Sequence, residues 1–171
     1  MFFLIQLEKN VRLHPMHFGP KLSQTLVDHL CREVEGTCSG RYGYFICVTG
    51  VEPMGKGEIR DGSGYATFPV KYQCIVFRPF KGEVLDCVVT QVNKMGFFAE
   101  AGPLQLFVSQ HLIPEDITFQ AGSDPGYVSS NGLIRIQKDS NMRVRIIGVR
   151  NDATEIHAVA TIKEDYLGLI N

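Results

Sequence analysis

No stretch of this 171-residue chain stays apolar long enough to cross a bilayer; its apolar runs, such as residues 44–48 and 75–77, are strand-sized. No membrane partner is expected. Residues 1–5 are apolar but lack a basic leader and give way to Gln6 and Glu8, which reads as an alternating first strand and not as a signal peptide. Cys-x-x-Cys pairs are also missing. The five cysteines (31, 38, 47, 74 and 87) are odd in number and spaced for neither a disulfide framework nor a zinc knuckle. They are expected to be buried small hydrophobes in a reducing compartment. A dominant charge is lacking as well: the formal net charge is −1, so there is no global field for nucleic acid. Residues 1–80 carry nine Lys/Arg against seven Asp/Glu, and residues 81–171 carry eight against eleven. Any RNA binding must therefore be local.

Catalytic patterns are missing too. Gly55-Lys56-Gly57 has neither the gap nor the Lys-Ser/Thr of a phosphate-binding loop, and no Gly-x-Gly-x-x-Gly follows a strand and opens a helix. Gly62-Ser63-Gly64 lacks the flanks of a nucleophile elbow. His14 and His17 straddle Pro15 in a loop with no acidic or cysteine companion, so no metal is expected there. The carboxylate pairs Glu33/Glu35, Glu115/Asp116 and Glu164/Asp165 sit in polar company and read as solvated. Neither an enzyme nor a cofactor is expected.

What is present divides into two halves. Residues 1–11 read as a strand, and 14–20, with two prolines and a glycine, as a loop. Pro20 is placed to open a helix at its first position. Leu22, Leu26, Leu30 and Val34 form an apolar stripe, predicting an amphipathic helix over 21–34. Strands are predicted over 44–51 and 65–77, with turns at 54–57 and 61–64. From Gly82 the helical period vanishes. Strands are predicted over 84–92, 97–101, 104–108, 133–137, 142–149 and 156–162, separated by turns and by one long loop over 109–132. The fold predicted is an α+β domain over 1–80, resembling a truncated ribonucleoprotein fold, followed over 81–171 by an all-β OB barrel.

Two stretches bear on RNA. Gly40-Arg41-Tyr42-Gly43-Tyr44-Phe45-Ile46-Cys47-Val48 has aromatics where an RNA-recognition strand has them. However, Gly40 and Arg41 come in reverse order and Cys47 replaces the last aromatic. In the second half, Phe97 and Phe98 are neighbours on one strand and must face opposite ways, so at most one can be a stacking platform. Phe97, Phe98 and Phe107 are the aromatic candidates. Arg135, Lys138, Arg143, Arg145 and Arg150 form a basic island interrupted only by Asp139. Arg143 and Arg145 alternate with apolar residues and are expected on the outer face. If each held a phosphate, replacing both by alanine would flatten the salt dependence of binding by about one to two units.

The run Gly82-Glu83-Val84 … Gly96-Phe97-Phe98-Ala99 … Gly102-Pro103-Leu104-Gln105-Leu106-Phe107-Val108 resembles the OB repeat of ribosomal protein S-one, with Phe98 at the position of a stacking aromatic. Met95, Ser109 and Glu155 stand at or near positions where that repeat has an aromatic, a histidine and a basic residue, which implies weak, sequence-tolerant binding. More specifically, Glu33-Val34-Glu35-Gly36, Leu13-His14-Pro15 … Phe18-Gly19-Pro20, Phe68-Pro69-Val70-Lys71-Tyr72 … Arg78-Pro79-Phe80-Lys81-Gly82-Glu83-Val84 and Lys163-Glu164-Asp165-Tyr166-Leu167-Gly168 resemble, in order along the chain, the larger protein of the RNA polymerase II stalk family. The resemblance implies a non-catalytic polymerase subunit acting in transcription initiation and transcript handling. Its implied partners are a smaller stalk subunit, the polymerase core and single-stranded nascent RNA. The implied location is the nucleus, with the cytoplasm as a further expectation. In that family the first domain docks on the core and does not stack RNA, so Tyr42, Tyr44 and Phe45 are expected to be packing residues. The docking tip is expected to comprise His14, Pro15, Met16, Phe18, Gly19 and Pro20 with Gly55, Gly57, Gly62 and Gly64 beside them. A free-standing RNA-binding adaptor is the alternative.

Overall fold

Alternation at the start of the chain produces β1 (Phe2–Leu13), and a short 3-10 turn (Pro15–His17) leads to the single helix α1 (Leu22–Val34). These elements come from a computed structural model, which describes all residues except Met54, Arg60, Ser123 and Asn171. The strands β2 (Cys38–Ser39), β3 (Gly43–Val51), β4 (Glu58–Ile59) and β5 (Ala66–Phe77) follow. They form an antiparallel sheet in the order β1-β5-β3-β2, with β4 on β5. Met54, in the turn predicted over 54–57, lies outside the described residues. The chain divides into two compact units, Phe2–Arg78 and Pro79–Asn171, with Met1 belonging to the second.

In the first unit α1 covers one face of the sheet. Its stripe buries Leu26, Leu30 and Val34 completely and Leu22 in part, against Val11, Leu13, Phe68, Val70, Tyr72 and Val76. Pro20 does not open the helix. The Leu22 amide bonds back to the Gly19 carbonyl at 3.0 Å, which makes Gly19–Leu22 a turn, and the first helical bond runs from Thr25 to the Lys21 carbonyl. Lys21 is thus the cap, and Pro20 presets the turn before it.

Gly43 shows what the signature-like strand is built for. Its φ is +97°, and a Cβ there would lie 2.3 Å from the Phe77 carbonyl oxygen. Only glycine allows this approach between β3 and β5. Phe45 packs on the helix side of the sheet. Tyr44 pairs in register with Phe77 on the other side, and Tyr42 lies beneath the Arg41 guanidinium, 5.3 Å from carbon to ring centre. The aromatics are divided between faces, so the strand does not present the continuous platform of an RNA-recognition sheet.

The second unit contains β6 (Val84–Asn93), β7 (Gly96–Ala101), β8 (Leu104–Ser109), a 3-10 turn (Gln110–Leu112), β9 (Ile117–Gln120), β10 (Gly126–Ser129), β11 (Arg135–Ile136), β12 (Asn141–Asn151), β13 (Ile156–Thr161) and β14 (Gly168–Leu169). Strand order β13-β8-β7-β6-β12 closes through a further β12–β13 pairing, while β14 adds to β12 outside the ring. The β8–β13 pair is parallel and the other ring pairs are antiparallel. This is a five-stranded OB barrel. Val89, Phe97, Leu106, Val108, Met142, Val144 and Ile146 fill its interior.

The loop expected over 109–132 is instead built structure. With β11, its strands β9 and β10 form a three-stranded sheet. Tyr127 is fully buried and donates its hydroxyl to the carbonyls of Asn93 (2.9 Å) and Lys94 (3.2 Å), which anchors the insert to the β6–β7 hairpin. Those strands are too short, and too close to Pro114 and Pro125, for alternation to reveal them. The strand expected over 133–137 shrinks to Arg135–Ile136, and Leu133 is exposed.

All five cysteines are free. Cys74 and Cys87 are buried as expected, whereas Cys31, Cys38 and Cys47 are only half-buried. Burial, with a smaller contribution from neighbouring Asp86, pushes the Cys87 thiol up to about 12, so it is an inert core residue.

Candidate nucleic-acid interface and docking loop

Strand alternation decides between the two adjacent phenylalanines. Phe97 is completely buried inside the barrel. Its candidacy as an RNA contact is therefore corrected: the ring is enclosed by core side chains and has no face to offer a base. Phe98 points outward. It pairs in register with Phe107 across β7 and β8, with ring centres 4.9 Å apart and planes tilted by 44°. Registry extends this outer row to Gln91 on β6 and to Val159 on β13, which is exposed. The next outer row runs Val88, Glu100, Gln105, His157 and Arg150. An apolar, aromatic strip bordered by polar side chains is what stacks unpaired bases.

The basic island looks different once folded. Arg143 lies opposite Asp86 because β12 pairs with β6, and it donates two bonds to that carboxylate, at 2.7 and 2.9 Å. Those bonds hold the Asp86 carboxyl below its ordinary range. Arg145 is bonded to Glu164, and Arg150 lies 3.5 Å from Asp152. Arg135 donates to the Asp124 carbonyl at 3.5 Å. Arg135 and Lys138 have no carboxylate in ion-pair range among the described residues. Asp139 was expected to be the island's lone acid. That reading is corrected: the fold brings Asp86 to Arg143 and Glu164 to Arg145, and Asp152 lies two residues from Arg150. Arg143 and Arg145 do lie on the outer face, as their alternation required.

In the first unit, the loop after β1 is stiff and apolar. His14 caps the 3-10 turn, its Nδ1 accepting from the Met16 amide at 3.2 Å, and its ring meets Tyr65 edge-on at 5.1 Å. Met16 is 75% exposed and Phe18 41%, so two apolar side chains are displayed where nothing in their own unit covers them. Gly64 stands beside this loop: a Cβ there would be 3.5 Å from the Pro15 ring. Gly62 has open space around it. Gly55 and Gly57 lie against Pro69 and Phe68 of β5, and at Gly57 a Cβ would overlap the Phe68 ring at 2.3 Å. Of the four glycines, Gly64 is the one whose added Cβ would meet the loop, and Gly57 is a packing position. Among the described residues no group of His, Cys, Asp and Glu could hold a metal.

A sheet with one helix followed by a closed OB barrel with an outer aromatic strip defines a two-domain class with an RNA-binding-type second domain. Family models place it: residues 8–64 match the SHS2 domain found in the N terminus of Rpb7p/Rpc25p/MJ0397, and residues 78–158 match the S1 RNA binding domain. Over 171 residues the chain is 63% identical to DNA-directed RNA polymerase II subunit RPB7 of Glycine max, covering 100% of this chain and 97% of that protein. It is 61% identical, with the same coverage, to DNA-directed RNA polymerase II subunit 7 of Arabidopsis thaliana. It is 53% identical to DNA-directed RNA polymerase II subunit rpb7 of Dictyostelium discoideum, covering 99% of each chain. The chain belongs to the RNA polymerase II subunit 7 family.

Proposed function

We propose that this chain is a non-catalytic stalk subunit of nuclear RNA polymerase II. It docks on the core with a smaller stalk subunit and receives emerging single-stranded RNA on its barrel, in initiation and in transcript handling. The observation that carries the RNA part is the outer strip formed by Phe98 and Phe107, since an outward aromatic pair on a barrel of this class is a stacking surface. Docking rests on the loop from His14 to Pro20, whose displayed Met16 and Phe18 are preset by two prolines. Exposed Phe80 and Val84 of the second unit are the apolar surface offered to the smaller subunit.

Binding is expected to be single-strand selective and to weaken with salt, but Arg143 and Arg145 contribute less charge than their number implies. Because each is paired with a carboxylate, Arg143→Ala with Arg145→Ala should change the slope of log affinity against log salt by less than about one unit. Fluorescence anisotropy titration of single- and double-stranded RNA at several salt concentrations checks both statements. Equal affinity for the two forms of RNA would count against the stacking strip.

A further inference from the structure

The barrel carries a cleft in which most side-chain hydrogen-bonding groups are uncommitted among the described residues. It has a volume of about 680 Å3 and is lined by Thr90, Gln91, Gln137, Lys138, Asp139 and Asp124, with Val92 and Pro125 as apolar walls. Thr90 donates its hydroxyl to the Phe98 carbonyl. The side chains of the other five polar residues bond to nothing else among the described residues. This contrasts with Arg143, Arg145 and Arg150, each held by a carboxylate. The cleft also adjoins the aromatic strip, because Gln91 is the register partner of Phe98.

Asp139 is placed here by a deliberate backbone conformation. Its φ is +67°, a left-handed value uncommon for a residue with a side chain. Its amide donates to the Val89 carbonyl at 2.8 Å, the Val89 amide donates to the Ser140 carbonyl at 2.9 Å, and the Gln137 amide donates to the Ser140 hydroxyl at 3.1 Å. The turn presenting Gln137, Lys138 and Asp139 is thereby tied to β6.

We propose that this cleft is a base-reading subsite that takes the Watson–Crick edge of a guanine next to the base stacked on Phe98, with Asp139 as its reader. The proposal rests on the RNA-binding reading above and adds a sequence preference to it. The chemistry selects guanine. A carboxylate accepts two hydrogen bonds side by side, and guanine alone among the four bases offers adjacent N1–H and N2–H donors. Lys138 and the amides of Gln91 and Gln137 supply donors for its O6 and N7 acceptors. Adenine and cytosine would turn a ring nitrogen lone pair toward the carboxylate, and uracil flanks its one N–H with two carbonyl oxygens.

Asp139→Asn is the informative substitution. Asparagine tolerates the left-handed conformation, so the turn survives while the acceptor pair is lost. The test measures affinities of the full chain for an oligouridylate and for the same oligomer carrying one central guanosine. The guanosine oligomer is expected to bind about tenfold tighter. Asp139→Asn is expected to abolish that preference and leave oligouridylate binding unchanged, whereas Phe98→Ala should weaken binding of both. Equal affinity of the wild-type chain for the two oligomers, or a preference that survives Asp139→Asn, overturns the subsite alone. Binding of neither oligomer overturns the RNA-binding reading and the subsite with it.

Discussion

Phe97→Ala is expected to destabilise the barrel by about 3–5 kcal/mol, while the same change at the next residue leaves folding nearly intact and costs RNA affinity. The Phe97 ring is fully buried in the barrel, on the strand between Val92 of β6 and Val108 of β8, so truncation removes its transfer energy and leaves a cavity that the closed ring of strands cannot collapse to fill. Phe98 is half-exposed, and its ring contact is with Phe107, a pair worth about 0.5–1.5 kcal/mol. Its loss should instead reduce binding of single-stranded RNA by about 1–3 kcal/mol. Denaturant unfolding of both variants, with anisotropy titration of RNA, separates the two roles. Unchanged RNA affinity in Phe98→Ala would remove the strip from the mechanism.

Phe18→Ala is expected to weaken association of the stalk with stalk-free core polymerase by about 2 kcal/mol or more. The loop loses little entropy on docking because Pro15 and Pro20 restrict it, His14 caps its turn and Tyr65 backs His14. Such preorganisation lets a single aromatic dominate an interface. Pairing with the smaller stalk subunit and RNA binding by the barrel should be unaffected, since Phe18 belongs to the first unit's loop and to neither of those surfaces. Titrating wild-type and variant stalks against the core measures the difference, and wild-type affinity in the variant would exclude Phe18 as the anchor.

Periodicity made the regular elements legible. The four-residue stripe marks α1 almost to the residue, alternation marks β1, and β-rich runs bounded by turn signals mark β5 and the ring strands. It also required Phe97 and Phe98 to part company, leaving only the choice of side to the fold. What sequence could not provide was registry between distant segments. Asp86 and Arg143 are 57 residues apart, yet they meet because β6 and β12 are neighbours, and so an arginine with no acid near it in sequence is paired. The insert sheet escaped for another reason. Its strands are held by Tyr127 reaching back to the β6–β7 hairpin, a tertiary bond with no local sequence pattern. The four glycines expected at the docking tip are close in sequence, whereas packing on Phe68 gives Gly57 a different role from that of Gly64.

Membership of an RNA polymerase II subunit family makes one statement about the cell that can be measured directly. The chain, tagged at its natural locus and natural abundance, should be purified under mild salt and its companions quantified by mass spectrometry. The catalytic core subunits of RNA polymerase II and a smaller stalk subunit are expected to co-purify in amounts matching the chain. Recovery of the chain with RNA but without polymerase subunits would contradict the assignment to the stalk and leave a free-standing RNA-binding adaptor in its place.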